Sequence, residues 1–179
     1  MRPPRFARDL ADLDRMGRQA KTWTCPRCAG SGTLNRHGRL RGWGEGAAGK
    51  QTQRGQRFYC SKRGRRHGCG HTFSLKLCTV LAHASVRSAE LWRFYRAKLW
   101  GQSVLSAWAS LRSRFSLEAA YGWWRRWQRG QCALRTHLCR GRDPPETSLA
   151  EGIQAAFGPV DPIACFQHQA QRPWPGSAS

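Results

Sequence analysis

The sequence predicts an α+β fold, in which a small zinc ribbon of short β-strands is followed by an all-α helix-turn-helix domain of three or four helices. Three observations predict this arrangement: cysteines with metal-ligand spacing in the first half, short β-type segments between them, and helical periodicity after residue 85. At 179 residues, the chain has room for one ordinary domain or for two small ones.

Residues 1–22 are expected to form a basic N-terminal arm. Within residues 5–18, Phe6, Leu10 and Leu13 recur at helical spacing, which favours a short amphipathic helix. The equal alternative is a flexible arm that becomes ordered on DNA.

The predicted zinc ribbon spans residues 23–74 and depends on four cysteines. Cys25 and Cys28 are separated by two residues, so that two sulfurs lie on one tight turn. After a further 31 residues comes a second pair, Cys60 and Cys69. Thiolates at this spacing predict a tetrahedral Zn²⁺ site. The alternative is four unrelated cysteines that are buried or joined in disulfides.

The second cysteine pair leaves the fourth metal ligand open. Eight residues separate Cys60 from Cys69, where a usual knuckle has two. Cys69 is the favoured fourth ligand, and His67 and His71 are the alternatives because both lie within two residues of it.

Three short strands are expected within the ribbon, at residues 33–38, 57–60 and 71–74. A glycine-rich loop is expected over residues 42–56. Residues 62–66 are predicted to form a basic finger that the metal site fixes at both ends.

Helical spacing begins in the segment of residues 85–140. Serine favours helix N-caps, and a serine precedes each periodic stretch. Helices are therefore expected to begin near Ser85 or Ser88, after Ser103 and after Ser116, and a further helix is expected over residues 132–138.

The helix from Ser116 to Arg129 is predicted to turn an apolar stripe inward, with small residues and arginines on the opposite face. A helix, a short turn and a second helix of this kind make a helix-turn-helix pattern. The alternative is a plain helical bundle with a solvated arginine face. The expected inward residues are Leu117, Ala120, Tyr121, Trp124 and Gln128, with Trp127 beside them.

Three groups of basic side chains are expected to contact nucleic acid, because guanidinium groups bind guanine edges and phosphates. They belong to the third helix, to the finger, and to the junction of the glycine-rich loop with the second strand. The residues are Arg125, Arg126, Arg129, Lys62, Arg63, Arg65, Arg66, Arg54 and Arg57.

Residues 141–179 are proline-rich and are expected to be a tail with one short helix, from Ser148 to Phe157. Proline has no backbone N–H and a fixed φ, so the rest of the tail is predicted to be loop.

The charge of the chain is strongly asymmetric. Of 31 basic residues, 30 lie within residues 1–142 against six acidic ones, whereas the rest of the chain has one basic and four acidic residues. The formal net charge is +21. Codon usage in a GC-rich genome would also favour arginine, but it does not explain why the excess stops at the tail. A positive field of this size predicts a nucleic-acid partner, specifically double-stranded DNA.

The expected compartment is the reducing cytoplasm, in association with the nucleoid. Residues 1–20 lack the apolar core of a signal peptide. The longest apolar-rich run, residues 75–84, is too short to span a bilayer.

The cysteine motifs resemble those of the DNA-binding front ends of insertion-sequence proteins of the InsA type. That family combines a Cys-Pro-x-Cys knuckle, an aromatic–Cys knuckle that ends in Cys-Gly-x-x-Phe, and a helix-turn-helix. The resemblance covers about residues 23–130. The second knuckle is longer here, and no catalytic domain is expected after the helices. The matching residues are Cys25, Pro26, Cys28, Tyr59, Cys60, Cys69, Gly70 and Phe73.

The sequence thus predicts a zinc-dependent, sequence-specific DNA-binding protein that is an accessory or regulatory component of a transposon-like mobile element. A metal-dependent nuclease needs convergent carboxylates, and residues 1–142 hold only six acidic residues, so no enzyme is expected. The alternatives are a DNA-targeting subunit of a transposase or recombinase complex, and an RNA-binding zinc protein.

Overall fold

The computed structural model describes residues 1–43, 51–62, 67–81, 86–111, 115–140 and 147–175. Within these residues one four-stranded sheet and six α-helices are present, which confirms the predicted α+β class. The elements are β1 (Phe6–Ala7), α1 (Leu10–Arg18), a 3-10 helix (Gln19–Thr22), β2 (Leu34–Trp43), β3 (Gln51–Cys60), β4 (Thr72–Leu77), α2 (Ser88–Leu99), α3 (Val104–Ala109), α4 (Leu117–Leu138), α5 (Leu149–Phe157) and α6 (Pro162–Ala170).

The sheet has the strand order β1-β4-β3-β2. β2 and β3 form an antiparallel hairpin that pairs from Leu34 and Cys60 to Trp43 and Gln51. β4 runs antiparallel to β3, and β1 runs parallel to β4. β2 therefore lies at one edge of the sheet.

The three expected strands are present but longer than predicted. The loop expected over residues 42–56 is wrong for residues 42–43, which belong to β2, and for residues 51–56, which belong to β3. Residues 44–50 of the expected loop lie outside the described residues. Glycine has weak strand propensity, and the many glycines of this segment therefore predict a loop. Cross-strand pairing with β2 overrides that propensity, since strand preference depends on the neighbouring strand.

One hydrophobic core lies under the sheet. Phe58 is fully buried, stacks on Phe73 at a centroid distance of 5.2 Å and meets the edge of Trp23 at 5.5 Å. Leu13 of α1 belongs to the same cluster. The helix expected within residues 5–18 is thus present only over residues 10–18, because residues 6–7 form β1 instead. The N-terminal segment packs against the sheet through β1 and α1.

A second, tryptophan-rich core lies among the five helices α2, α3, α4, α5 and α6. Trp127 of α4 lies 4.6 Å from Tyr95 and 6.0 Å from Trp174, measured between ring centroids. Trp92 and Phe94 are also fully buried in this cluster. Aromatic rings bury a large apolar area each, so short helices suffice to hold this unit together.

The predicted serine caps are confirmed at two helices of this unit. Ser103 accepts a hydrogen bond from the Ser106 amide, and Ser116 accepts one from the Ala119 amide. α2 begins at Ser88 as expected, although its side chain is not the cap.

The separate helix expected over residues 132–138 is wrong, because α4 continues without a break from Leu117 to Leu138. Gly130, which has low helix propensity, lies within it and is buried. Packing on the core compensates for the weak propensity of this glycine.

The helix expected after Ser148 is confirmed as α5, and Ser148 forms a reciprocal capping box with Glu151. The loop expected after it is wrong, because α6 occupies residues 162–170. Pro162 stands at the first turn of α6, where a proline costs no hydrogen bond. The Asp161 carboxylate caps the helix by accepting a hydrogen bond from the Ala164 amide.

Two glutamines on α6 and just after it join the ends of the chain. The Gln171 side chain accepts hydrogen bonds from the Arg5 and Phe6 amides, at 2.7 and 3.0 Å, and donates one to the Phe6 carbonyl at 3.0 Å. Gln167 is fully buried and donates to the Cys78 carbonyl just after β4, at 2.6 Å. The C-terminal helix is therefore fastened to β1 and to the end of β4. None of the described helices is long and apolar enough to cross a membrane.

Candidate metal centre and nucleic-acid interface

The first cysteine pair lies on a tight turn before β2. The Cys25 amide donates to the Gly30 carbonyl at 2.9 Å, and the Ala29 amide donates to the Cys25 carbonyl at 3.0 Å. Ala29 has a left-handed φ of 58°. These two hydrogen bonds fold the chain back after Cys28 and turn both sulfurs to one side.

The second pair closes in the same way despite its longer gap. The Cys60 amide donates to the His71 carbonyl at 2.8 Å, and the Gly70 amide donates to the Cys60 carbonyl at 3.0 Å. Gly70, like Ala29, follows the second cysteine of its pair and has a left-handed φ, here 74°. The two knuckles therefore share one backbone geometry, and the extra residues are an insertion into the second knuckle.

The insertion returns to its starting point through Gly68. A Cβ atom on Gly68 would lie 2.0 Å from the Ser61 carbonyl oxygen, so the two ends of the inserted loop touch. Only glycine permits such a close backbone approach. This contact brings Cys69 to the place that the third residue after Cys60 would take in a short knuckle.

The four sulfurs form one compact cluster. Cys25 and Cys69 are 3.7 Å apart and Cys28 and Cys60 are 3.6 Å apart, and all four sulfurs lie within 4.8 Å of one another. A tetrahedron with metal–sulfur bonds of about 2.3 Å has edges of about 3.8 Å. The cysteines are free, and sulfurs this far apart are not joined in disulfides. The donor set thus fits a tetrahedral metal ion.

Cys69 completes this cluster. Neither His67 nor His71 belongs to it, and both side chains are exposed. Within the described part of the chain, the cluster of four cysteines is the group of potential ligands that is close enough to hold a metal.

The surroundings of the four thiols differ. Burial raises the pKa of Cys25 to about 11, whereas a backbone hydrogen bond from Gly30 lowers the pKa of Cys28 to about 7. The Cys69 amide also donates to the Cys60 sulfur at 3.3 Å. Metal binding requires thiolates, so a bound cation has to displace protons from the buried thiols.

The arginines of α4 do not share one environment. Arg125 and Arg129 are exposed, whereas Arg126 is half-buried and lies over the Trp123 ring at 4.8 Å. The buried stripe of α4 is offset by about one residue from the predicted one. It consists of Ala120, Trp123, Trp127, Gly130 and Leu134, while Leu117, Tyr121 and Gln128 are exposed.

The basic residues near the metal centre are also divided. Arg57 and Lys62 are exposed, whereas Arg54 is half-buried and its side chain crosses Gly42. The other finger residues expected to contact nucleic acid, Arg63, Arg65 and Arg66, lie outside the described residues.

Two arginines outside the predicted nucleic-acid-binding set are exposed on β2. Arg39 and Arg41 alternate with other residues at a spacing of two. That period is the strand signal, and extending the predicted strand beyond residue 38 would have placed both on it.

Comparison with protein-family models, curated proteins and solved structures finds no match to this chain.

Proposed function

We propose that the four cysteines bind one Zn²⁺ and that the protein binds duplex DNA in a sequence-specific manner. The observation that carries this proposal is the compact sulfur cluster, which two matching knuckles hold within the basic part of the chain. We further propose that it acts in a mobile element, as a regulator or as a targeting subunit. The resemblance of the cysteine motif to InsA-type proteins supports that context.

Zinc suits this donor set better than other common cations. Thiolate ligands in a tetrahedral arrangement are typical of zinc, while magnesium and calcium prefer oxygen. Four protein ligands leave no open coordination position, which favours a structural ion over a catalytic one. The proposed zinc would therefore stabilise the knuckles and the base of the hairpin, and no enzymatic activity is proposed.

Duplex DNA fits the charge and the helices of the chain. Residues 1–142 carry 30 basic residues against six acidic ones, which favours a polyanion. α3 and α4 follow one another with seven residues between Ala109 and Leu117, and the exposed face of α4 carries Arg125 and Arg129. We propose that this pair acts as a helix-turn-helix, with α4 as the helix that contacts DNA.

A fluorescence anisotropy experiment tests this function. It measures how tightly the zinc-loaded protein binds a labelled randomised duplex over a range of salt concentrations. The logarithm of the affinity should fall with the logarithm of salt at a slope of about −5 if about six phosphates are neutralised. The single strands of the same library should compete less well than the duplex, and a chelator should weaken duplex binding. A slope near zero, or preference for single-stranded RNA, would contradict the proposal.

A further inference from the structure

The hairpin of β2 and β3 extends beyond the rest of the sheet. β4 pairs with β3 only from Gly55 to Tyr59, whereas β2 stays paired with β3 as far as Trp43. The far end of the hairpin is therefore two strands wide within the described residues. We call it the distal ribbon, and it consists of residues 41–43 and 51–54. Arg39 lies just before it on β2 and pairs with Gln56, which β4 still flanks.

The hairpin carries one sign of charge. β2 and β3 contain five arginines and no aspartate or glutamate. Arg36 is bound to the Asp14 carboxylate at 2.8 Å, and Arg54 lies along the hairpin itself. Arg41 is exposed on the distal ribbon, and Arg39 and Arg57 are exposed nearer to β4. These exposed guanidinium groups are therefore accessible to a polyanion.

The dimensions of the distal ribbon match the major groove of DNA. Neighbouring strands are about 4.8 Å apart, so a two-stranded ribbon with its side chains enters a groove about 12 Å wide. The pairing of β2 with β3 shifts register between Leu40 and Arg41. Such a bulge increases the local twist, which helps a ribbon to follow a helical groove.

We propose that the distal ribbon enters the major groove of duplex DNA and that Arg41 binds a guanine edge there, with Arg39, two residues before it on β2, at the base of the ribbon as a second contact. This inference rests on the proposed duplex-DNA function. It assigns DNA contact to a second element of the protein besides α4. Arginine is the side chain that binds the O6 and N7 atoms of guanine with two parallel hydrogen bonds. In this proposal the ribbon and α4 are two separate elements that contact DNA.

Charged residues on an edge strand also have a simpler role, because they prevent edge-to-edge pairing with other chains. That role requires charge alone, and lysine would fulfil it as well as arginine. Guanine recognition requires the planar guanidinium group, so lysine would not replace it. Arg41→Lys therefore separates the two roles.

The test is selection from a randomised duplex library, followed by affinity measurement on the selected site. Wild-type protein is compared with Arg39→Ala, Arg41→Ala and Arg41→Lys. Arg93→Ala is the charge-matched control, since Arg93 is exposed on α2 and its nearest acidic partner is Glu90 at 3.8 Å. Thermal unfolding of each variant confirms that the fold is intact.

Arg41→Ala should lower affinity for the selected site about 10- to 100-fold and remove preference at one or two positions. Arg41→Lys should keep general DNA binding but lose the same preference, and Arg93→Ala should change neither more than about threefold. Methylation of guanine N7, which blocks the major groove, should weaken binding of the wild type.

Two negative results have different meanings. If the wild type binds duplex DNA with sequence preference and the ribbon variants keep both affinity and preference, the ribbon does not read DNA, while the proposed function stands. If the wild type shows no salt-dependent duplex binding, the proposed function itself fails.

Discussion

Ala29 and Gly70 occupy equivalent places in the two knuckles but differ in what the left-handed backbone costs them. For alanine this conformation is unfavourable by about 1–2 kcal/mol, while for glycine it is nearly free. Ala29 in the first knuckle thus adopts a backbone conformation that alanine does not favour. An external constraint has to hold it, and the proposed zinc on Cys25 and Cys28 provides one.

At the scale of residues, the four cysteines could be identified as metal ligands from the sequence, because side-chain type and spacing along the chain can be read directly from it. The shared backbone geometry of the two knuckles could not be predicted from the sequence. It depends on the close contact between Gly68 and Ser61, and nothing in the spacing reveals that an eight-residue gap closes on itself.

The first prediction concerns the metal ligands. Cys60→Ser should lose the bound zinc and lower the unfolding temperature, because three thiolates no longer close the tetrahedron and Cys60 is buried. Cys132→Ser is the control, since Cys132 is exposed on α4, and it should keep about one zinc per chain. Zinc content by mass spectrometry decides, and full occupancy in Cys60→Ser would contradict the assignment.

At the scale of elements, α4 illustrates where periodicity succeeds and where it fails. Its start and its cap could be predicted, because Ser116 acts on the nearest turn alone. Its buried face could not, since tryptophans and small residues occur around the whole helix and allow two inward faces. The partners on α2 and α3 decide that Trp123 and Trp127 point inward.

The second prediction follows from this offset and concerns two neighbouring arginines of α4. Arg126→Ala should lower stability by about 0.5–1 kcal/mol, because it removes the contact with Trp123, and should leave DNA preference nearly unchanged. Arg125→Ala should leave stability unchanged but cost about 1–3 kcal/mol of duplex binding, since Arg125 is exposed.

Urea unfolding and duplex titration of both variants check the second prediction. The reverse result, with a DNA-binding defect in Arg126→Ala alone, would show that the face predicted from the sequence is the one that contacts DNA.

At the scale of the whole molecule, the sheet and the helical unit are joined by contacts that no local pattern contains. Gln171 binds β1 across about 165 residues, and Ser88 at the start of α2 donates to Asp161 before α6 at 2.6 Å. The α+β class could be predicted, because cysteine spacing and periodicity are local. The packing of the two ends could not, because a glutamine in a proline-rich segment gives no sign of its distant partner.

The third prediction concerns this connection. Gln171→Ala should lower the free energy of unfolding by about 1–3 kcal/mol, because the Arg5 and Phe6 amides lose their acceptor. Gln169→Ala, at an exposed position two residues earlier on α6, should change it by less than about 0.5 kcal/mol. Urea unfolding followed by tryptophan fluorescence measures both, and equal effects would mean that the contact with β1 contributes nothing.

The same bond between Gln171 and β1 orders events during synthesis. A ribosome adds about 5–20 residues per second, so Phe6 is made about 10–30 s before its partner, 165 residues later. The cysteines emerge early in this interval and are ready for a metal ion while β1 still lacks these hydrogen bonds. The contact of β1 with Gln171 thus forms only after all four strands and the four cysteines have been made, whereas the pairing of β1 with β4 can form earlier.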